Sequence, residues 1–123
     1  FVTGSMPEEE YQKLLIDQAI MECMTNCARH AGGTRVFVKI TNNKVLCKVQ
    51  ITNNGKKPAE GSQEGGGLTS LRKTVEREGG KMQVIFSPEF ELILLLSHEK
   101  DREIKSSEEV TVKILNSYSN FSI

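Results

Sequence analysis

Apolar residues recur at three- and four-residue steps from Ile16 through Ala19, Ile20, Cys23 and Cys27 to Ala31. At ~100° per residue they form one contiguous arc, which predicts an amphipathic helix running from Pro7 to His30 or Ala31. Glu8, Glu9 and Glu10 put negative charge in its first turn, where the helix dipole favours it, and Gly32 and Gly33 stop it. The period then changes from 3.6 to 2. Val36, Val38 and Ile40 alternate with Arg35, Phe37 and Lys39, Asn42 and Asn43 supply a turn, and Val45, Cys47, Val49 and Ile51 return with Leu46, Lys48 and Gln50 on the opposite face. A hairpin is expected over Thr34 to Thr52, ending at Asn53, Asn54 and Gly55.

The segment Lys56 to Gly67 has no apolar side chain larger than alanine or proline, so burial cannot offset the entropy of ordering it, and a mobile loop is expected. Leu68, Leu71 and Val75 restore helical spacing, with a glycine stop at Gly79 and Gly80. Met82 to Phe86 and Phe90 to Leu96 read as a second hairpin about Ser87, Pro88 and Glu89. The predicted order is αββαββ over residues 6–97. Phe1 to Ser5 do not look like a natural start and Met6 does, so residues 1–5 are set aside as an expression remnant. Residues 98–123 form a C-terminal extension with conflicting signals: Ser106 and Glu109 suit a helix cap, whereas Val110, Val112 and Ile114 alternate as in a strand.

Composition narrows the function. At 123 residues the chain is one domain's worth, and its 16 basic residues balance 16 acidic ones, so no bulk charge draws it to nucleic acid or membrane. Any anion must be held locally. The longest apolar run, Leu92 to Leu96, is far short of the ~18 residues of a membrane span. Cys23, Cys27 and Cys47 are an odd set, two of them on the apolar arc, and read as buried reduced thiols in a cytoplasmic protein; Cys23 and Cys27 lack the second pair that a tetrahedral metal site needs.

Candidate chemistry lies on three segments. Asn26 falls ~40° from Glu22 on the helix and Arg29 ~20° to its other side, giving a polar edge bordering the apolar arc; the same edge fits an ordinary solvated face. His30 falls inside the arc at ~80°, as suited to a partly buried structural role as to a phosphate ligand. Asn53-Asn54-Gly55 closes a strand. Gly65-Gly66-Gly67-Leu68 opens a helix, where backbone N–H groups and the dipole favour phosphate, although a glycine cluster alone is more often a loop. Neither a P-loop nor a dinucleotide fingerprint is present.

In this order the segments resemble the ATP-binding domain of sensor histidine kinases, the Bergerat-fold group shared with gyrase and the heat-shock chaperone ATPases, over about Ile16 to Leu96. MECMTNCARHAGGTRV resembles the N box, in the version found in kinases that pair with helix-turn-helix response regulators. ITNNGKKP resembles the first glycine box, usually D-x-G-x-G, and EGGGLTSL the second, with an ATP lid between them. The resemblance implies an α/β two-layer sandwich (α+β) with a mixed sheet and helices on one face. It implies Mg²⁺ on Asn26, Glu22 at the acid/base position, Arg29 and His30 near the phosphates, and Asn53, Gly55, Gly65, Gly66, Gly67 and Leu68 about the nucleotide. ATP and Mg²⁺ are the implied cofactors. The implied activity is supply of the γ-phosphate to a histidine on a separate dimerisation domain, with a response regulator downstream, in a cytoplasmic domain whose parent kinase is free to be membrane-anchored. Residues 1–123 alone are expected to bind ATP but not to autophosphorylate. Asn53 replaces the aspartate that meets the adenine amino group, pointing to weaker discrimination between ATP and GTP, and Lys57 replaces the box's second glycine. These departures favour one alternative, a degenerate, non-catalytic interaction module; a second is a Bergerat-fold serine kinase of the anti-sigma type, which needs no attached phosphoacceptor domain. Ser97-His98-Glu99 resembles a phosphoacceptor box only superficially, and His98 reads as a surface residue.

Overall fold

The computed structural model describes residues 1–98. The conflicting signals at Ser106 to Ile114 lie outside the described residues. Strand β1 spans Val2–Thr3, helix α1 Glu10–Asn26, β2 Val36–Asn42, β3 Leu46–Asn53, helix α2 Gly66–Arg77, β4 Lys81–Ile85 and β5 Glu91–Ser97. The strands form one mixed sheet in the order β1-β2-β3-β5-β4, in which β1 runs parallel to β2 and every other pair is antiparallel.

The alternation of the hairpin strands sets the register. Val38 faces Ile51 and Ile40 faces Val49 across β2 and β3, and Val49 and Ile51 face Leu94 and Leu92 across β3 and β5. The apolar side chains of that face meet Ile16, Ala19 and Cys23 of α1 and Leu68, Leu71 and Val75 of α2, forming the main core. Each fully buried leucine or isoleucine there contributes about 1.5–3 kcal/mol. The two helices and the sheet are thus the two layers expected from the resemblance.

Three features depart from the periodic reading. The residues set aside at the N-terminus supply β1, fixed by stacking of Phe1 on Phe37 at 5.6 Å and by the Phe1 ammonium donating to the Val36 carbonyl at 2.9 Å. The opposite face of β3 is apolar at one end: Leu46 packs with Ile93 and Leu95, and Lys48 is buried beside them. The continuous run Leu92 to Leu96 is the sequence signal of a strand covered on both faces. Finally, the first helix does not run to Ala31 as an α-helix; after Asn26 it widens into a π-helical turn, Cys27–Ala31.

At the far end of α1, Gln12 is wholly buried and donates to the Ser97 carbonyl at 2.6 Å, and the Tyr11 hydroxyl donates to the same oxygen at 3.2 Å. These bonds anchor the start of α1 to the end of β5. No described helix is long and apolar enough to cross a membrane.

Candidate functional site

The π-helical turn is the first element of the site. Its wider i→i+5 ring shifts the side chains after Asn26 off the α-helical wheel, so Arg29 and His30 are both exposed. That exposure corrects the placement of His30 inside the apolar arc. Gly32 ends the turn at φ 60°, in the left-handed region that glycine enters without a Cβ penalty. Cys27 remains buried, its Sγ 3.7 Å from the carbonyls of Arg35 and Asn54. One turn earlier, Cys23 is also buried, and its thiol is pushed up to about 12, first by desolvation and then by the nearby Glu22 and Cys27.

Asn54 ties this turn to the sheet. Its Oδ1 accepts from the backbone N–H groups of Thr34 and Arg35, both at 2.9 Å, while its own N–H donates to the Arg35 carbonyl at 3.1 Å. Gly55 follows at φ 106°, and a Cβ there would lie 2.5 Å from the Ala31 carbonyl oxygen. Only glycine fits this strand end. The next N–H, of Lys56, donates to the same Ala31 oxygen at 2.8 Å. Asn53 turns the other way, and its Nδ2 donates to the Asn54 carbonyl at 2.6 Å.

From Lys57 to Gly65 the chain forms no helix or strand. Its last residues are fixed by Glu64, whose carboxylate accepts from Arg72 Nε at 2.9 Å and pairs with Arg72 Nη2, while Arg72 Nη1 donates to the Met82 carbonyl. Helix α2 then begins with Gly65 as its N-cap, without a side-chain cap bond. The Glu22 carboxylate of α1 lies against Gly67, so closely that a Cβ at Gly67 would overlap it. A negative group at the positive end of α2 is favourable, and it brings the two helices together where both borders of the site begin.

Between the π-helical turn, the end of β3, the loop and the start of α2 lies a cleft of about 450 Å³. That volume is within the range of ~300–1,000 Å³ typical of small-ligand sites. Asn26, His30, Asn53, Gly65 and Leu68 all line it, as do Lys56, Lys57, Phe86 and Phe90. No aspartate or glutamate does.

Solved structures of similar shape exist. The ATP-binding domain of PrrB from Mycobacterium tuberculosis matches with a TM-score of 0.56 at 22% identity, over 68% of this chain and 67% of that one. The histidine kinase AdeS from Acinetobacter baumannii matches at 0.57 and 14% identity, over 71% of this chain and 47% of that one. The histidine kinase domain of a blue-light activated kinase from Erythrobacter litoralis matches at 0.53 and 16% identity, over 72% and 46%. The fold is that of histidine-kinase ATP-binding domains. This chain spans about half the length of the latter two, and no protein-family model matches its sequence.

On this fold the residues singled out from the sequence divide into two groups. Asn26, His30, Asn53, Gly65 and Leu68 converge on the cleft. Glu22 and Gly67 meet one another beside it, Gly66 is the first residue of α2, Gly55 is packed on Ala31, and Arg29 is exposed on the turn. Phe86 and Phe90, edge to face at 5.9 Å, were missed; two aromatics flanking Ser87-Pro88-Glu89 at the tip of a hairpin were the available signal.

Proposed function

We propose that the cleft binds ATP, and that the chain is the ATP-binding catalytic domain of a sensor histidine kinase presenting the γ-phosphate to a histidine on a dimerisation domain. The observation that carries this reading is the convergence of Asn26, Asn53 and Gly65 on one cleft of a histidine-kinase ATPase fold. Phe86, Phe90 and Leu68 offer an apolar surface to a base, and Gly65, the N-cap of α2, borders the cleft with the positive end of that helix.

The Asn53 side chain has a defined sense. Its Nδ2 is engaged by the Asn54 carbonyl, which leaves Oδ1 to accept from adenine's amino group. Nδ2 keeps a second N–H after that bond, so it can also donate to a guanine carbonyl, in keeping with the weaker discrimination between ATP and GTP anticipated from residue type.

Magnesium fits this donor set in one way. Among the described residues no three His, Cys, Asp or Glu side chains cluster, and Asn26 supplies a single neutral oxygen at the cleft. Mg²⁺ commonly binds through substrate phosphates and retained waters with few protein ligands, so Asn26 would hold an ion carried in on ATP. When bound, the ion would neutralise and orient the phosphates, with Asn26 positioning them beside Gly65 at the start of α2.

Calorimetric titration tests the reading. Asn26→Ala is expected to retain the fold and lose the gain in ATP affinity that Mg²⁺ confers. A variant that bound Mg-ATP as tightly as the parent would remove Asn26 from the site.

A further inference from the structure

The charge of the cleft is unusual for a site expected to hold its anion through a divalent cation. Its titratable lining consists of Lys56, Lys57, His30 and the buried thiol of Cys27, with no carboxylate. Of the carboxylates on the flanking elements, Glu64 pairs with Arg72 and Glu22 lies on Gly67, while Glu60 stands on the exposed loop outside the cleft's lining. Among the described residues neither lysine forms an ion pair.

The two lysines also differ from their surroundings in how they are placed. Lys56 is fixed at its backbone, because its N–H donates to the Ala31 carbonyl at 2.8 Å, directly beside the turn that bears His30. Lys57 is the next residue, at the position where the resemblance implies glycine. A glycine there contributes only conformational freedom, whereas this chain adds a second ammonium at the cleft's rim. Ammonium groups are point charges suited to phosphate oxygens, and their attraction for a polyanion needs no metal.

We propose that Lys56 and Lys57 are phosphate-binding residues of this cleft, so that nucleoside triphosphate binding persists when the divalent cation is removed. The inference rests on the ATP reading and extends it: part of the neutralisation assigned to Mg²⁺ is built into the chain. Affinity for the triphosphate should fall as salt is raised, since exposed ammonium groups are screened, and affinity for adenosine should not depend on either lysine.

The test is titration of ATP and adenosine into the parent protein, K56A, K57A and the double variant, each in Mg²⁺ and in excess chelator. Both side chains are exposed, so the fold does not depend on them; a K56Q/K57Q pair guards against any local effect of truncation. The expected result is that chelation weakens ATP binding to the parent by less than tenfold, that the double variant in chelator loses a further tenfold or more, and that adenosine binds all forms alike. If the parent binds Mg-ATP but chelation abolishes binding, or if the double variant matches the parent in chelator, the lysine assignment is overturned and the ATP reading stands. If the parent binds ATP in neither condition, both are overturned.

Discussion

The two sides of the cleft are held in place by different means. On one side, the π-helical turn and the end of β3 are joined through Asn54 and Gly55 by several backbone hydrogen bonds and a close backbone approach. On the other, residues 57–65 have no regular structure, and their chief fastening is the Glu64–Arg72 pair at one end. The difference is one of cooperativity: a change on the first side is felt by the sheet, whereas a change on the second stays local. A site built this way has a fixed template on one side and an adjustable boundary on the other.

The sharpest way to break the contrast is Gly55→Ala. The substitution forces a side chain onto a residue at φ 106° and against the Ala31 oxygen. Its expected cost is about 3 kcal/mol, lowering the thermal midpoint by more than ~10 °C. A midpoint within ~2 °C of the parent would show that this side is as yielding as the other. Asn54→Ala should come next, at about 2 kcal/mol, because the N–H groups of Thr34 and Arg35 both lose their acceptor. Asn54→Asp retains the acceptor and should recover most of that loss in a urea titration; equal losses for the two variants would deny Asn54 its role. The smallest effect is expected from Glu64→Ala. The pair it breaks is partly exposed, so global stability should change by less than ~1 kcal/mol. Amide exchange over residues 59–66 should accelerate, while the amides of Thr34, Arg35 and Asn54 keep their protection. Acceleration on both sides together would erase the distinction.

Much of the fixed side was legible in the sequence because its signals are local. Gly32, Gly33, Asn54 and Gly55 are turn formers at the ends of well-patterned elements, and the order αββαββ followed from the periods alone. What escaped depends on partners distant in the chain. Val2–Thr3 is too short to show a period and becomes a strand only through Phe37 and Val36. The π-helical turn cannot be read from a wheel that assumes 3.6 residues throughout, which is why His30 was misplaced. Leu46 and Lys48 alternate as if half-exposed, yet their face is covered near Ile93 and Leu95. The Glu22–Gly67 contact joins residues 45 positions apart, and no spacing rule links them.

The central strand pair has a kinetic consequence. β3 meets β5 with Ile51 opposite Leu92 and Cys47 opposite Leu96, contacts that span 41 to 49 positions of the chain and enclose the loop, α2 and β4. Closing so long a segment must precede the reward of pairing it, which places the chain among the slower, non-local folders. Yet the entropy of closure grows only logarithmically, at about 0.6 kcal/mol for each doubling of length. Insertions between Lys57 and Glu64 therefore slow or destabilise the folding of the sheet very little, so the length of this boundary is set by the cleft it borders and not by the sheet behind it.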